Sequence, residues 1–157
     1  MTHTDAPDTI TSRPPAATTV RPLLVLIAGP YRSGTDDDPA RMAANLARLE
    51  EAAWPVFRSG HVPMIGEWVA LPVLASAGAS GPLDPMAEQV MYPTAQRLLE
   101  HCDAVLRLPG ASRGADQDVA IARRRGIPVW FDVSEVPGYV EEDPATRTTA
   151  TAQEAPA

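Results

Sequence analysis

The sequence predicts an α/β domain built on a parallel sheet with helices on both faces. Three short apolar runs, typical of buried strands, alternate with segments of helical periodicity. Strands and helices that alternate along a chain indicate parallel strand pairing. Because ligands of such sheets bind beyond the carboxyl ends of the strands, the loops that follow the strands are the expected place for a site.

The predicted strands are the runs LLVLIAG at 23–29, DAVLRLPG at 103–110 and IPVWFDV at 127–133. Each is rich in branched apolar residues and contains or adjoins the glycines and prolines that punctuate strands. A shorter fourth strand is expected at 61–65, followed by a loop or short helix as far as residue 85.

The first helical segment covers residues 38–60, where apolar residues recur at helical spacing. Asp38 is placed to cap its start and Gly60 to end it. A single long helix is therefore expected between the first two strands.

Two further helical segments follow. Residues 85–102 contain Pro93, which should begin a new helix or kink a continuous one. Residues 115–126 open near Asp116, the predicted N-cap, and should stop at Gly126.

The two ends of the chain differ from its centre in composition. Residues 1–21 and 141–157 are rich in Thr, Pro and Ala and lack apolar periodicity, so both are predicted to be disordered. The folded body is then one domain over residues 22–140.

Composition excludes several classes of function. A net charge of −7 over 157 residues argues against a broad surface for polymeric nucleic acid. The single cysteine, Cys102, and three scattered histidines favour neither a disulfide nor a metal site, and no cofactor is predicted. No secretion signal and no apolar run of about 18 residues is present, so we expect a soluble cytoplasmic protein without a membrane partner.

The loop after the first strand, IAGPYRSG, has features of a ligand site. Gly29 would let the backbone approach a ligand, Pro30 would stiffen the exit, and Arg32 offers a forked cation to phosphate or carboxylate. The simpler interpretation is a tight turn with a surface arginine, and this loop alone favours it.

The loop before the last helical segment, LPGASRGADQD, is more informative. Ser112 and Gly114 precede a helix whose free N–H groups would form an anion site. Asp118 falls in the predicted first turn, where the helix dipole should lower its pKa. The simpler interpretation is that both Asp116 and Asp118 stabilise the helix start.

Together, IAGPYRSG and CDAVLRLPGASRGADQDVAIARRRGIPVW resemble the nucleoside 2-deoxyribosyltransferase-like superfamily over about residues 23–131. This superfamily includes deoxyribosyltransferases and nucleoside 5′-monophosphate N-glycosidases. The resemblance implies a small Rossmann-like, flavodoxin-like domain that forms a homodimer or higher homo-oligomer with pockets at the subunit interface. It also implies that Ser112 and Gly114 belong to a phosphate site.

The resemblance further implies a pair of carboxylates that act as in a retaining glycosidase. A helix glutamate would attack the anomeric carbon, and an upstream aspartate would help to protonate the base or position the ring. Here the glutamate position holds Asp118, whose shorter side chain sets the carboxylate back by about 1 Å. The aspartate position holds Ala95.

Glu67 and Trp68, within HVPMIGEW, are candidates to complete such a site. Glu67 would stand in as the missing carboxylate, and Trp68 would stack on a base or close the pocket. The simpler interpretation, a surface glutamate and a packing tryptophan, is modestly favoured.

Three hypotheses follow from these residues. In the first, an enzyme acts on the N-glycosidic bond of a nucleoside or nucleotide by hydrolysis or base transfer. Asp118 would then be its nucleophile or electrostatic stabiliser, with Tyr31 holding or polarising it, and Arg32, Ser112 and Gly114 would hold phosphate. In the second, a nucleotide-binding or accessory protein has no such turnover. The third is a sugar-nucleotide enzyme or an unrelated small-molecule enzyme on the same scaffold, which stays open because a fold does not determine a function.

Overall fold

The computed structural model describes residues 21–142. The predicted end segments lie outside these residues, apart from Arg21 and residues 141–142 at their inner edges. In chain order the elements are β1 (Leu24–Ala28), α1 (Pro39–Glu51), α2 (Ala53–Arg58), β2 (Val62–Ile65), α3 (Gly66–Ser76), α4 (Ala87–Leu99), β3 (Ala104–Arg107), α5 (Arg113–Arg125), β4 (Val129–Trp130) and a 3₁₀ helix (Val133–Glu135).

The four strands form one sheet in the order β2-β1-β3-β4, and every pair is parallel. In the centre, Ile27 of β1 lies opposite Ile65 of β2 and Leu106 of β3. The predicted α/β class with a parallel sheet is confirmed, and the architecture is that of a small Rossmann-like domain.

The core consists of two apolar layers, one on each face of the sheet. On one face, Ile27 packs with Leu49 of α1 and Val56 of α2. On the other, Leu26 packs with Leu99 of α4 and Ala122 of α5. Alternate residues of β1 thus enter opposite layers, which explains why its sequence is apolar without a break.

The predicted single helix over 38–60 is wrong, because α1 ends at Glu51 and α2 starts at Ala53. Pro55 lies in the first turn of α2, and its missing N–H cannot continue the hydrogen-bond ladder of α1. The predicted cap is confirmed, since Asp38 Oδ1 accepts from the backbone N–H of Ala40 at 2.9 Å.

The segment between β2 and residue 85 contains an 11-residue helix, α3, rather than a loop or a short helix. Apolar residues occupy almost every position of α3, so its sequence lacks the periodicity that marks an amphipathic helix. Further along the chain, α4 runs through Pro93 without interruption, so Pro93 does not begin a new helix.

The predicted strand at 127–133 is shorter than expected, because β4 contains Val129 and Trp130 alone. Asp132 then caps the 3₁₀ helix by accepting from the N–H of Ser134 at 2.8 Å. Among residues 21–142, no helix combines the length and apolar character needed to cross a bilayer.

The start of α5 corrects another prediction. Ser112, not Asp116, is the N-cap, and its Oγ accepts from the N–H of Ala115 at 3.2 Å. Asp116 is the fourth residue of the helix and Asp118 the sixth, so Asp118 lies beyond the first turn. The predicted stop is confirmed, since Gly126 adopts the left-handed conformation that ends many helices.

Candidate active site

A cleft of about 450 Å³ opens at the carboxyl ends of β1 and β3. Both loops singled out in the sequence contribute to its wall, and so do the start of α3 and one face of α4. Its lining residues are Leu26, Ile27, Ala28, Gly29, Tyr31, Arg32, Ser33, Asp37, Gly66, Glu67, Pro82, Ala87, Glu88, Met91, Tyr92, Ala95, Ser112, Arg113, Gly114, Ala115 and Asp118. Its volume is in the range of sites for small ligands.

The two loops contact each other beside the cleft. Gly110 has φ +114°, and a Cβ there would lie 2.7 Å from Cγ of Pro30. Glycine at 110 therefore lets the loop after β3 lie directly on the loop after β1.

Seven of the nine predicted site residues line the cleft: Gly29, Tyr31, Arg32, Glu67, Ser112, Gly114 and Asp118. Pro30 is instead packed on Gly110. Trp68 is also outside the lining. The residue is 40% exposed, and its Nε1–H donates to Glu50 Oε1 at 2.9 Å. Trp68 is thus tied to α1 rather than placed to stack on a ligand in the cleft.

Asp118 has a raised pKa, the opposite of the predicted shift. Burial and the negative charge of Glu67 raise it from 3.8 to about 7, while the Arg107 guanidinium acts in the opposite direction. The helix dipole acts mainly within the first turn. Because Asp118 is the sixth residue of α5, desolvation in the cleft outweighs the dipole.

Glu67 and Asp118, which we call the carboxylate pair, come from different helices and share the cleft. Burial raises the pKa of Glu67, partly offset by a hydrogen bond from its own backbone N–H. Burial and then the charge of Glu67 raise the pKa of Tyr31 as well. The pair and the Tyr31 phenol thus form one electrostatically coupled group.

Two arginines, Arg32 and Arg113, also line the cleft. Arg32 is paired with Asp37, with Nε 2.8 Å from Oδ1 and Nη2 3.3 Å from Oδ2. Arg113 Nη2 donates to the Tyr92 hydroxyl at 3.4 Å, and its guanidinium carbon lies 5.9 Å from the centre of the Tyr92 ring. Both guanidiniums therefore already have partners within the lining.

The loop after β1 is held by buried polar side chains. Asn45 Nδ2 donates to the carbonyl of Tyr31 at 2.8 Å, and Thr35 Oγ1 donates to the carbonyl of Arg32 at 2.6 Å. These bonds satisfy main-chain carbonyls of an irregular segment, so Tyr31 and Arg32 are presented on a supported backbone.

Close packing favours glycine at position 29. A Cβ at this position would lie 2.8 Å from Cδ2 of Leu49 and 3.3 Å from Cβ of Leu108. Although Gly29 lines the cleft as predicted, its missing side chain makes room for these two leucines.

The loop after β3 is organised by Arg107, a buried cation at the end of the strand. Its Nη2 donates to the carbonyl of Gly110 at 2.8 Å and to Asp116 Oδ1 at 2.8 Å, and its Nη1 donates to the carbonyl of Leu108. Arg107 therefore connects the strand end, the loop and the first turn of α5.

Sequence reasoning missed four residues of this region: Glu88, Tyr92, Arg107 and Arg113. A helical pattern was available for two of them, since Glu88, Tyr92 and Ala95 follow i, i+4, i+7 spacing and so share a face of α4. For Arg107 the available signal was its position, because a charged residue inside an apolar run is unusual.

The fold and the cleft define an α/β protein with a cleft at the carboxyl ends of its strands that contains two acidic side chains, Glu67 and Asp118. No protein-family model matches the chain, and no curated protein shows significant similarity to it. Within residues 21–142, no group of three His, Cys, Asp or Glu side chains is placed to hold a metal ion.

Proposed function

We propose that the protein is an enzyme that acts on the N-glycosidic bond of a nucleoside or nucleotide, by hydrolysis or by base transfer. The observation that carries this proposal is the carboxylate pair, Glu67 and Asp118, in one cleft at the carboxyl ends of the strands. Two carboxyl groups in different protonation states are what cleavage of a glycosidic bond requires.

The electrostatics of the pair suggest how the roles are divided. Because the charge of Glu67 helps to raise the pKa of Asp118 to about 7, we assign the role of the carboxylate to Glu67 and the role of the proton donor to Asp118. Asp118 would then protonate the leaving base, and the Glu67 carboxylate would stabilise or attack the sugar C1′ as positive charge develops there. This assignment replaces the role of nucleophile that the sequence resemblance implied for Asp118.

Tyr31 has a supporting role in this proposal. Its pKa is raised, so the phenol keeps its proton at neutral pH and can donate a hydrogen bond to a carboxylate or to the substrate. Ser112 and Gly114, at the start of α5, lie at the part of the cleft where free helix N–H groups would meet the sugar or its phosphate.

The test is release of free base from a panel of nucleosides and nucleoside 5′-monophosphates, followed by chromatography. Glu67→Gln and Asp118→Asn should each lower the rate by about 10²- to 10⁴-fold. Glu51→Gln, on the exposed end of α1 and outside the cleft, is the matched control and should keep the rate. Undiminished release by Asp118→Ala would remove Asp118 from the mechanism.

A second candidate is a nucleotide-binding protein without turnover. It is favoured by Ala95, which lines the cleft at the position where the resemblance implies an aspartate. Calorimetry that shows nucleoside or nucleotide binding, together with no base released over a long incubation, would favour this candidate over the enzyme.

A further inference from the structure

The charged side chains that line the cleft are mostly acidic. Two guanidiniums, those of Arg32 and Arg113, face four carboxyl groups, those of Asp37, Glu67, Glu88 and Asp118. With Glu67 as the carboxylate, as in the proposed function, the net charge of these six groups is −1 when Asp118 is protonated and −2 when it is ionised. A dianionic phosphate would therefore enter a site that already carries negative charge.

Each guanidinium already has a partner that uses part of its hydrogen-bonding capacity. Arg32 makes two hydrogen bonds to Asp37, the arrangement that it would offer to a phosphate. Arg113 is held over the Tyr92 ring and bonded to its hydroxyl. The acidic Glu88 interacts electrostatically with both arginines, after their stronger interactions with Asp37 and Tyr92.

The same side chains suit a neutral ligand that is rich in hydrogen-bond donors. An ionised carboxylate only accepts hydrogen bonds, and both sugar hydroxyls and exocyclic amino groups can donate to it. The free N–H groups at the start of α5 can donate to a hydroxyl oxygen as well as to a phosphate oxygen.

We infer that the cleft selects an unphosphorylated nucleoside over the corresponding nucleoside 5′-monophosphate, with Asp37 as a residue that determines this selectivity. The inference rests on the proposed function and specifies its substrate class. It also departs from the expectation that Arg32 holds phosphate, since Arg32 is paired with an acidic neighbour.

The experiment compares each common ribonucleoside and 2′-deoxyribonucleoside with its own 5′-monophosphate, using calorimetry for affinity and chromatography for base release. With the wild-type chain, at least one nucleoside should bind about tenfold more tightly than its monophosphate. The preference should shrink as salt is added, because salt screens the repulsion. A monophosphate that binds as tightly as its nucleoside, or more tightly, would overturn the inference.

Asp37→Asn and Asp36→Asn form a matched pair for the same measurement. Both residues are exposed and have positive φ, of 58° and 50°, which asparagine also tolerates. Asp36 is paired with Arg41 and does not line the cleft. Asp37→Asn should improve monophosphate affinity by about two- to fivefold, the size of an exposed ion pair, and Asp36→Asn should match the wild type. If the two variants have the same ratio of nucleoside to monophosphate affinity, Asp37 does not determine the selectivity.

The outcomes separate this inference from the proposed function. Faster base release from a monophosphate than from its nucleoside would overturn the inference and support the enzyme. Preferential nucleoside binding with no base released would support the inference and count against the enzyme. Binding of neither class would overturn both.

Discussion

Arg107 of β3 and Asp116 of α5 form an ion pair with 2.8 Å between Nη2 and Oδ1, in which the arginine side chain is 9% exposed and the aspartate 69%. The buried cation also bonds to the carbonyls of Leu108 and Gly110, so it joins the strand to the loop that carries Ser112. Its charge limits the rise in the pKa of Asp118. One side chain thereby supports the shape of the cleft and lowers the proton affinity of Asp118 inside it.

Arg107→Gln should destabilise the protein by about 1–3 kcal/mol, because it removes the charged donor of the partly buried hydrogen bonds to the Leu108 and Gly110 carbonyls. Asp116→Asn should cost about 1 kcal/mol or less, since Asp116 is largely exposed and Arg107 keeps its carbonyl partners. Chemical denaturation of both variants gives the comparison. An equal loss of unfolding free energy in the two variants would show that Asp116, and not the loop carbonyls, is the important partner of Arg107.

Arg107→Gln should also raise the pKa of Asp118 further, because it removes the positive charge that opposes the shift. For the proposed enzyme, the alkaline limb of the pH profile for base release would move to higher pH. If Arg107 has only a structural role, Arg107→Gln would lower the rate of base release without moving the alkaline limb.

The unfolding free energy should fall as pH rises between about 4 and 7, because the Asp118 pKa is about 7 in the folded chain against 3.8 for the unperturbed group. In this window the folded state binds more protons than the unfolded state. The stabilisation that comes from protonated Asp118 is therefore fully present below pH 3.8 and is lost as the pH rises to about 7. Asp118→Asn should reduce the pH dependence by an amount on the order of 2 kcal/mol. Chemical denaturation of both proteins at pH 5 and pH 8 gives the change in unfolding free energy between the two pH values. The same change in both proteins would contradict the raised pKa of Asp118.

Trp68→Phe should leave ligand affinity and base release within about twofold of the wild type, because Trp68 lies outside the cleft and bonds to Glu50. Tyr92→Phe is the informative comparison, since it removes the hydroxyl that holds Arg113 at the cleft. A large loss of affinity in Trp68→Phe would restore the predicted role of this residue as a stacking platform.

Gly29→Ala should destabilise the fold by about 1–3 kcal/mol, because the new methyl would lie 2.8 Å from Leu49 and 3.3 Å from Leu108. Gly66→Ala is the control, since a Cβ there would meet nothing within 4 Å and Gly66 begins a helix. Thermal melting distinguishes the two. Equal melting temperatures for the two variants would show that Leu49 can move aside without cost.

The elements that the sequence predicted well are those with local causes. The apolar runs identified β1 and β3 as buried strands, because strands buried on both faces are largely apolar along their length. Asp38 and Gly126 marked helix ends through their side-chain and backbone preferences. Parallel pairing then brought the two loops to one edge of the sheet, where they line a single cleft.

The sequence by itself thus determined the α/β class and the meeting of the two loops, since periodicity and strand direction depend on local residue types. Only the tertiary structure decided that Glu67 joins Asp118, that Arg32 is paired with Asp37 and that Trp68 lies outside the cleft. The physical reason is that burial and charge–charge interactions depend on which helices pack together. The nearly uniform apolar sequence of α3 does not indicate which of its faces packs inward.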